Sequence, residues 1–495
     1  MRNKIKMQAY ITGIALLLGF LPAFSQQADS LSWYLEIAAR NNPLVNSNFA
    51  LYKASLEKIP QAGAYEDPEL DIGVFVKPME TLSGKQIADF TLMQMFPWFG
   101  TRKAARNEAT EMSRMAYEQF REARNNLFYE VKSQWYQLCN LNEQYKNTQA
   151  NLALLEKLEK LEKLVLNRYS APSANAPTST VTPITGNVVT PPASSGNSMD
   201  NMGGMGSSSQ ATPQGSPAGN ASMQGMASGP MGSSMGTGSS SGTMSDVLRI
   251  QIEKAELQNN LELIVSNRTA AEARFNALLN RRQDMRVAVP DSLQQLHFLI
   301  DDQAMTDSII IANPMLSMLE AEANAYRAKA EMDKKMSYPM FGIGLQYSLV
   351  GKSNNSMVMD NMNGMDMVMP MFKISIPIFR KKYQAQQKES RHYRQASELK
   401  YENTLNQLQS EYQTVKQQLA DASRKIALYQ KQQELSLSTW QLIVREFSAG
   451  TTSLTDVIQV ERQLLDYRLK KSEAIAEYNT RIAGIEKLVA TSINE

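Results

Sequence analysis

Two long stretches of the chain keep a helical hydrophobic rhythm without a break. Arg102 to Arg168 contains no Pro or Gly and ends in Leu158, Leu161 and Val165 at helical spacing. Lys381 to Ser448 also lacks both, and its series Leu405, Leu408, Tyr412, Val415, Leu419, Ala422, Ile426, Tyr429 alternates steps of three and four. Such a seam predicts a coiled coil. At 1.5 Å per residue each helix runs roughly 100 Å. A conduit or a spacer needs that length; a compact globule does not.

Ahead of each long helix the period changes to two. Phe341, Ile343, Leu345, Tyr347 and Leu349 alternate with Gly342, Gly344, Gln346 and Ser348, and Phe372, Ile374, Ile376 and Ile378 repeat the alternation. A weaker earlier pair holds Leu70, Ile72, Val74 and Val76, then Phe90 and Leu92. About ten residues, apolar on one face, are what a transmembrane barrel strand needs. Two hairpins on a small soluble core satisfy the same pattern, so periodicity alone leaves both open.

The two halves repeat. Phe96-Pro97-Trp98-Phe99 parallels Ile376-Pro377-Ile378-Phe379, and the far ends carry Tyr169-Ser170-Ala171 and Phe447-Ser448-Ala449. Helix openings follow at Asp246-Val247-Leu248 and Asp456-Val457-Ile458. In the second copy Gly450 closes the turn at once, with Ser453 or Thr455 placed to cap the next helix. In the first copy residues 169–243 intervene, a Ser/Gly/Pro/Thr/Met tract whose only charge is Asp200. That composition cannot offset chain entropy by burial and predicts disorder. Residues 1–25 read as a signal peptide: Arg2, Lys4 and Lys6, an apolar stretch, then Ala23-Phe24-Ser25. The expected divisions are therefore 1–25, a first repeat at 26–168, and the tip insertion at 169–243. A return helix and equatorial region follow at 244–337. The second repeat, 338–495, carries a Met-rich loop at 357–371 and a tip near 447–453.

Composition then narrows the chemistry. Lys plus Arg number 51 and Asp plus Glu 49, a balance that excludes a basic nucleic-acid footprint. Cys139, His297 and His392 are the only residues of their types, so no Cys/His zinc site is available. No nucleophile elbow or phosphate loop occurs, and no enzyme is expected. Beyond the leader no stretch of about 18 apolar residues exists, so no transmembrane helix is expected. Methionine is the outlier, with 29 residues, about three times ordinary usage. One group is Met199, Met202, Met205, Met223, Met226, Met231 and Met235 in the insertion. The other is Met357, Met359, Met362, Met365, Met367, Met369 and Met371 between the third and fourth predicted strands. Thioethers are soft ligands that select Cu(I), and by the same logic Ag(I). At M-x-M and M-x-x-M spacing in a flexible chain they predict weak, exchangeable sites, against compositional drift in loops as the plainer account.

Asn42-Pro43, Asp67-Pro68-Glu69-Leu70, Gln94-Met95-Phe96-Pro97-Trp98-Phe99-Gly100 and Phe447-Ser448-Ala449-Gly450 leading to Asp456-Val457 occur in order. This arrangement resembles the TolC-like family of outer-membrane efflux factors, and within it the outer-membrane component of Cus-type copper/silver efflux systems. The resemblance implies a mainly α fold with a membrane β-barrel part. In a homotrimer, each protomer gives four strands to a shared twelve-stranded barrel, and long coiled-coil hairpins build an α-barrel across the periplasm. It implies that Tyr169, Ser170, Ala171, Phe447, Ser448, Ala449 and Gly450, with Asp246 and Asp456, form the tips where a periplasmic adaptor of an inner-membrane pump docks. The expected function is an outer-membrane exit duct without cofactor, with Cu(I)/Ag(I) as transient cargo. Drugs, other small molecules or secreted polypeptide are alternative cargo; an exported coiled-coil spacer without a pore is the remaining alternative, which the strand pairs argue against. Two departures stand out: Pro172 and the insertion at the first tip, and no lipidation cysteine after the leader.

Overall fold

The computed structural model describes residues 30–81, 83–170, 244–298, 301–353 and 363–490, the side chains of 164–170 excepted. The expected leader, Ala171, the seven methionines of the insertion, and Met357, Met359 and Met362 lie outside the described residues. The first six elements are α1 (Leu31–Asn41), α2 (Pro43–Ala62), β1 (Glu69–Thr81), β2 (Gly84–Phe96), α3 (Thr101–Ser170) and α4 (Met244–Leu278). The next six are α5 (Asp302–Ala312), α6 (Pro314–Met336), β3 (Met340–Gly351), β4 (Met367–Ser375), α7 (Arg380–Ser448) and α8 (Leu454–Val489). The second six repeat the first in type and order. Helices α3 and α7 have 70 and 69 residues, about 105 Å each. Each packs on the helix before its hairpin and on its own return helix.

The repetition reaches single hydrogen bonds. Asn42 caps α2 by accepting from Leu44 N at 2.9 Å, and its amide donates to Leu278 O at 2.9 Å. Asn313 caps α6 by accepting from Met315 N at 2.9 Å and donates to Leu488 O at 2.9 Å. Pro43 and Pro314 follow at the first helical position, where a missing N–H costs nothing. Each asparagine thus ties the start of a helix to the end of the return helix.

One core joins Tyr34 of α1, Trp135 and Cys139 of α3, Phe275 of α4 and Ala483 of α8. The Tyr34 ring lies 5.2 Å from Trp135 and 5.0 Å from Phe275. A second core contains the predicted α7 seam, Tyr412, Leu419, Ala422 and Ile426, against Ile482 and Ile485 of α8. The α3 seam departs from expectation: Leu158 is buried, but Leu161 is exposed and Glu162 takes the buried position after it. The apolar contact of α3 there runs through Leu155 and Leu158, beginning one helical turn before the predicted run.

The strands form one antiparallel sheet in the order β1-β2-β3-β4, with β2 and β3 joining the two repeats. Within the chain β1 and β4 are open edges. The last strand lies earlier than its pattern predicts. It ends at Ser375, leaving Ile376 and Ile378 beyond it, and it begins at Met367. Met367, Met369 and Met371 therefore belong to β4 rather than to the expected loop. The cause is long-range: Asp366 accepts from Val350 N at 3.1 Å and from the Tyr347 hydroxyl at 2.5 Å, pinning the register before β4 starts. Pro377, which lacks a ladder donor, stops the far end.

Candidate functional site

One face of the sheet is apolar and uncovered within the chain. It carries Leu70, Ile72 and Val74, then Phe90 and Leu92, then Ile343 and Leu345, and finally Phe372 and Ile374, all exposed. A sheet surrounded by water would cover such a face; lipid accepts it. At its helical end Trp98 stacks on Tyr338 with centroids 5.2 Å apart, and the Arg102 guanidinium lies 3.4 Å from the Tyr65 ring centroid. Aromatic and arginine side chains so grouped are characteristic of a membrane–water boundary. The opposite face is polar or small, with Asp71, Asp89, Thr91, Gln346 and Ser348, apart from a set of methionines. Among the described residues, no helix is long and apolar enough to cross a membrane, and no group of three His, Cys, Asp or Glu side chains is placed to hold a metal.

Near the ends of α3 and α7 the two helical hairpins pack together. Leu155 and Leu158 of α3, Ile250 and Leu257 of α4, and Leu454, Val457 and Ile458 of α8 form one cluster, with Phe447 of α7 packed against it. Gly450 closes the second tip at φ 77°, a conformation that favours glycine. Ala449 N donates to Arg445 O and Thr451 N to Glu446 O, each at 3.0 Å, satisfying the last carbonyls of α7. Ser453 is the cap of α8: its hydroxyl accepts from Asp456 N at 3.4 Å and donates to the Asp456 carboxylate at 2.7 Å. Thr455, the other cap candidate, instead bonds Arg249 of α4. Asp246 and Asp456 occupy the first turns of α4 and α8, where the helix dipole favours a carboxylate. Tyr169 and Ser170 end α3, and Ser448 ends α7. Arg445 and Glu446 are exposed, and the Glu446 carboxylate accepts from the Thr452 hydroxyl at 3.0 Å.

Behind the tips lies a carboxylate layer that sequence reasoning missed. Glu159 accepts from Lys163 at 2.6 Å and Lys254 at 2.7 Å, and these bonds hold it down to about 2. Glu253 receives Arg462 at 2.7 and 2.8 Å. Glu461 is 3% exposed and neither carboxylate oxygen is hydrogen-bonded. Burial, then the charge of Glu253, push it up to about 8. Glu162 is likewise raised, first by burial and then by Asp246. The available signal was a charged residue on a seam position, which a hydrophobic pattern simply skips.

Residues 305–491, most of the second repeat, match the outer membrane efflux protein family. The fold of the whole chain matches solved channels as well. VceC from Vibrio cholerae aligns at 13% identity and TM-score 0.64, covering 94% of this chain and 97% of that one. CusC, described in relation to folding and transmembrane channel formation, aligns at 13% and 0.64, covering 94% and 93%. The open-state MtrE outer membrane channel of Neisseria gonorrhoeae aligns at 12% and 0.60, covering 94% and 89%. No curated protein sequence matches. The chain thus shares the fold of these outer-membrane channels over almost its whole length.

Proposed function

We propose that the protein is an outer-membrane efflux channel, the exit duct of a tripartite pump for Cu(I) and Ag(I), working as a homotrimer. The observation that carries the cargo is the position of the methionine-rich insertion. Ser170 and Met244, which flank it, end α3 and begin α4, the two helices that meet at the tip cluster. Met199, Met202, Met205, Met223, Met226, Met231 and Met235 are thereby tethered at the periplasmic entrance. Met357, Met359, Met362 and Met365 are tethered near the opposite end, between β3 and β4. Thioethers at both ends suit capture and release of a soft ion.

Two features support the trimer. A barrel must leave no open edge in lipid, and this sheet has two, so four strands from each of three copies close a twelve-stranded wall. Leu428, Leu435 and Leu442 on α7 are also exposed at heptad spacing, a stripe suited to a neighbouring protomer's helix. The tips formed by Phe447, Ser448, Ala449 and Gly450, beside Tyr169, Ser170 and Ala171, are the proposed docking points for the adaptor, with Asp246 and Asp456 as nearby charges.

The test replaces the seven insertion methionines with leucine, which keeps bulk and removes sulfur. The variant is expected to run as a trimer in mild detergent and to lower copper and silver tolerance at least severalfold. Full protection by the variant would leave the insertion as linker and turn the duct toward organic or polypeptide cargo.

A further inference from the structure

Every methionine on the paired strands lies on the face that lines the lumen. The register places Glu69, Met93, Gly344 and Met371 in one row across the four strands. The next row holds Asp71, Thr91, Gln346 and Met369, and the third holds Gly73, Asp89, Ser348 and Met367. Met95 stands opposite Gly342, one row nearer the helices. Successive rows are about 7 Å apart, so Met371, Met369 and Met367 step along β4 from the helical end toward the outer loops.

The glycines of β3 make room for these side chains. A β-carbon at Gly342 would sit 2.6 Å from Met95 Sδ and 3.3 Å from Met93 Sδ. One at Gly344 would sit 3.0 Å from Met93 Sδ. Two sulfurs therefore converge over bare backbone, and Met371 flanks Gly344 from the other side. Burial falls along the series: Met93 is 8% exposed, whereas Met369 and Met367 are 44% and 46% exposed. A water-filled barrel normally presents polar residues inside. Packing accounts for a buried methionine but not for two exposed ones, and the lipid face, which favours apolar side chains, carries no methionine on its paired positions.

We propose that Met93 and Met95, with Met371 across Gly344, form a transit site for Cu(I) or Ag(I) on the lumen wall, continued outward by Met369 and Met367. This site rests on the cargo reading above and supplies the path between its two ends. Neutral thioethers bind a soft monovalent ion without releasing a proton, and methionine's rotatable bonds let sulfurs from neighbouring rows share it. Transfer is ligand exchange: one metal–sulfur bond forms as another breaks, and the oxidation state does not change. Glu69, Asp71 and Asp89 on the same face hold a cation near the wall. Lys373, in the row of Gly342 and Met95, opposes long residence there.

The experiment uses the full-length trimer in detergent with the insertion methionines already replaced by leucine. Silver nitrate is titrated calorimetrically in chloride-free buffer. Adding Met93→Leu and Met95→Leu is expected to remove at least one Ag(I) per protomer. Gly342→Val, which keeps every sulfur but fills the cradle, is expected to weaken Ag(I) binding about tenfold. Should Gly342→Val fail to assemble, the near-isosteric leucine pair decides. Unchanged silver stoichiometry in the leucine pair would overturn the site and leave these methionines as lumen packing. The cargo reading is judged separately: if cells lacking the channel tolerate copper and silver as well as the parent, that reading fails, while the titration still reports on the site.

Discussion

The first and second repeats share a frame and differ in what fills it. Asn42 and Asn313 make matching caps and matching bonds to Leu278 and Leu488. Counted from these landmarks and from Pro97 and Pro377, Tyr34, Trp135 and Phe275 correspond to Met305, Val415 and Ile485. The first trio lies in one core and the second in or against the other. At these positions one core packs aromatic rings and the other flexible or branched chains, yet the helices keep the same order. The order is set by backbone closure at caps and hairpins, whereas core identity is free within the volume available. The repeats also part at the tip: Gln251 of α4 corresponds to Glu461 of α8, an amide where the other copy buries an acid.

The largest expected effect comes from the aromatic core. Trp135→Ala leaves a large cavity and should cost about 3–5 kcal/mol. Val415→Ala at the corresponding place should cost on the order of 1 kcal/mol. Thermal unfolding of the two variants in detergent checks this; equal losses would mean that the cores are not the distinct units described.

Glu461→Gln makes the two tips alike. Glu461 holds its proton in the folded chain up to about pH 8, whereas in an unfolded chain it ionises near its ordinary value, about 4.3. Between those values the folded state is penalised increasingly as pH rises. The variant should therefore match the parent at pH 4 and exceed it by on the order of 4–5 kcal/mol at pH 8. Unfolding curves at both pH values read the difference, and a gain at pH 4 as large as at pH 8 would point to packing rather than charge.

Asn42→Ala and Asn313→Ala should each cost about 1–3 kcal/mol, since each loses a cap and strands a carbonyl. Similar losses would support the duplicated frame, and a cost at only one site would break it. The smallest effect is expected from Ser453→Ala, about 1 kcal/mol from the lost cap of α8. Helical hydrogen exchange near Leu454 should rise in this variant, while Thr455→Ala leaves it unchanged.

Much of the candidate site was legible in sequence. Phe447, Gly450 and Asp456 lie at the turn between α7 and α8, because a glycine turn followed by a capped helix is local chemistry. Asn313-Pro314 was passed over, and its match to Asn42-Pro43 shows only in the parallel bonds to Leu488 and Leu278. Met367 and Met369 were read as loop because methionine in a polar setting blurs the two-residue period. Met93 and Met95 drew no attention, since two methionines in a strand look like ordinary apolar positions until their face is known. Glu162 and Glu461 were invisible for the complementary reason: a seam search registers apolar residues and passes over the acids between them.

By itself, the sequence determined the elements and their duplication: two helices of about 70 residues, the strand pairs ahead of them, and the turn at Gly450. These follow from periodicity, propensity and capping, which act over a few residues. Tertiary structure alone decided where β4 begins, which face of the sheet the methionines share, and that Glu461 is buried beside Glu253. Those outcomes depend on pairings between elements, from 16 positions apart for Asp366 and Val350 to 209 for Glu253 and Arg462. A one-residue change of register would have turned the same thioethers from the lumen to the lipid.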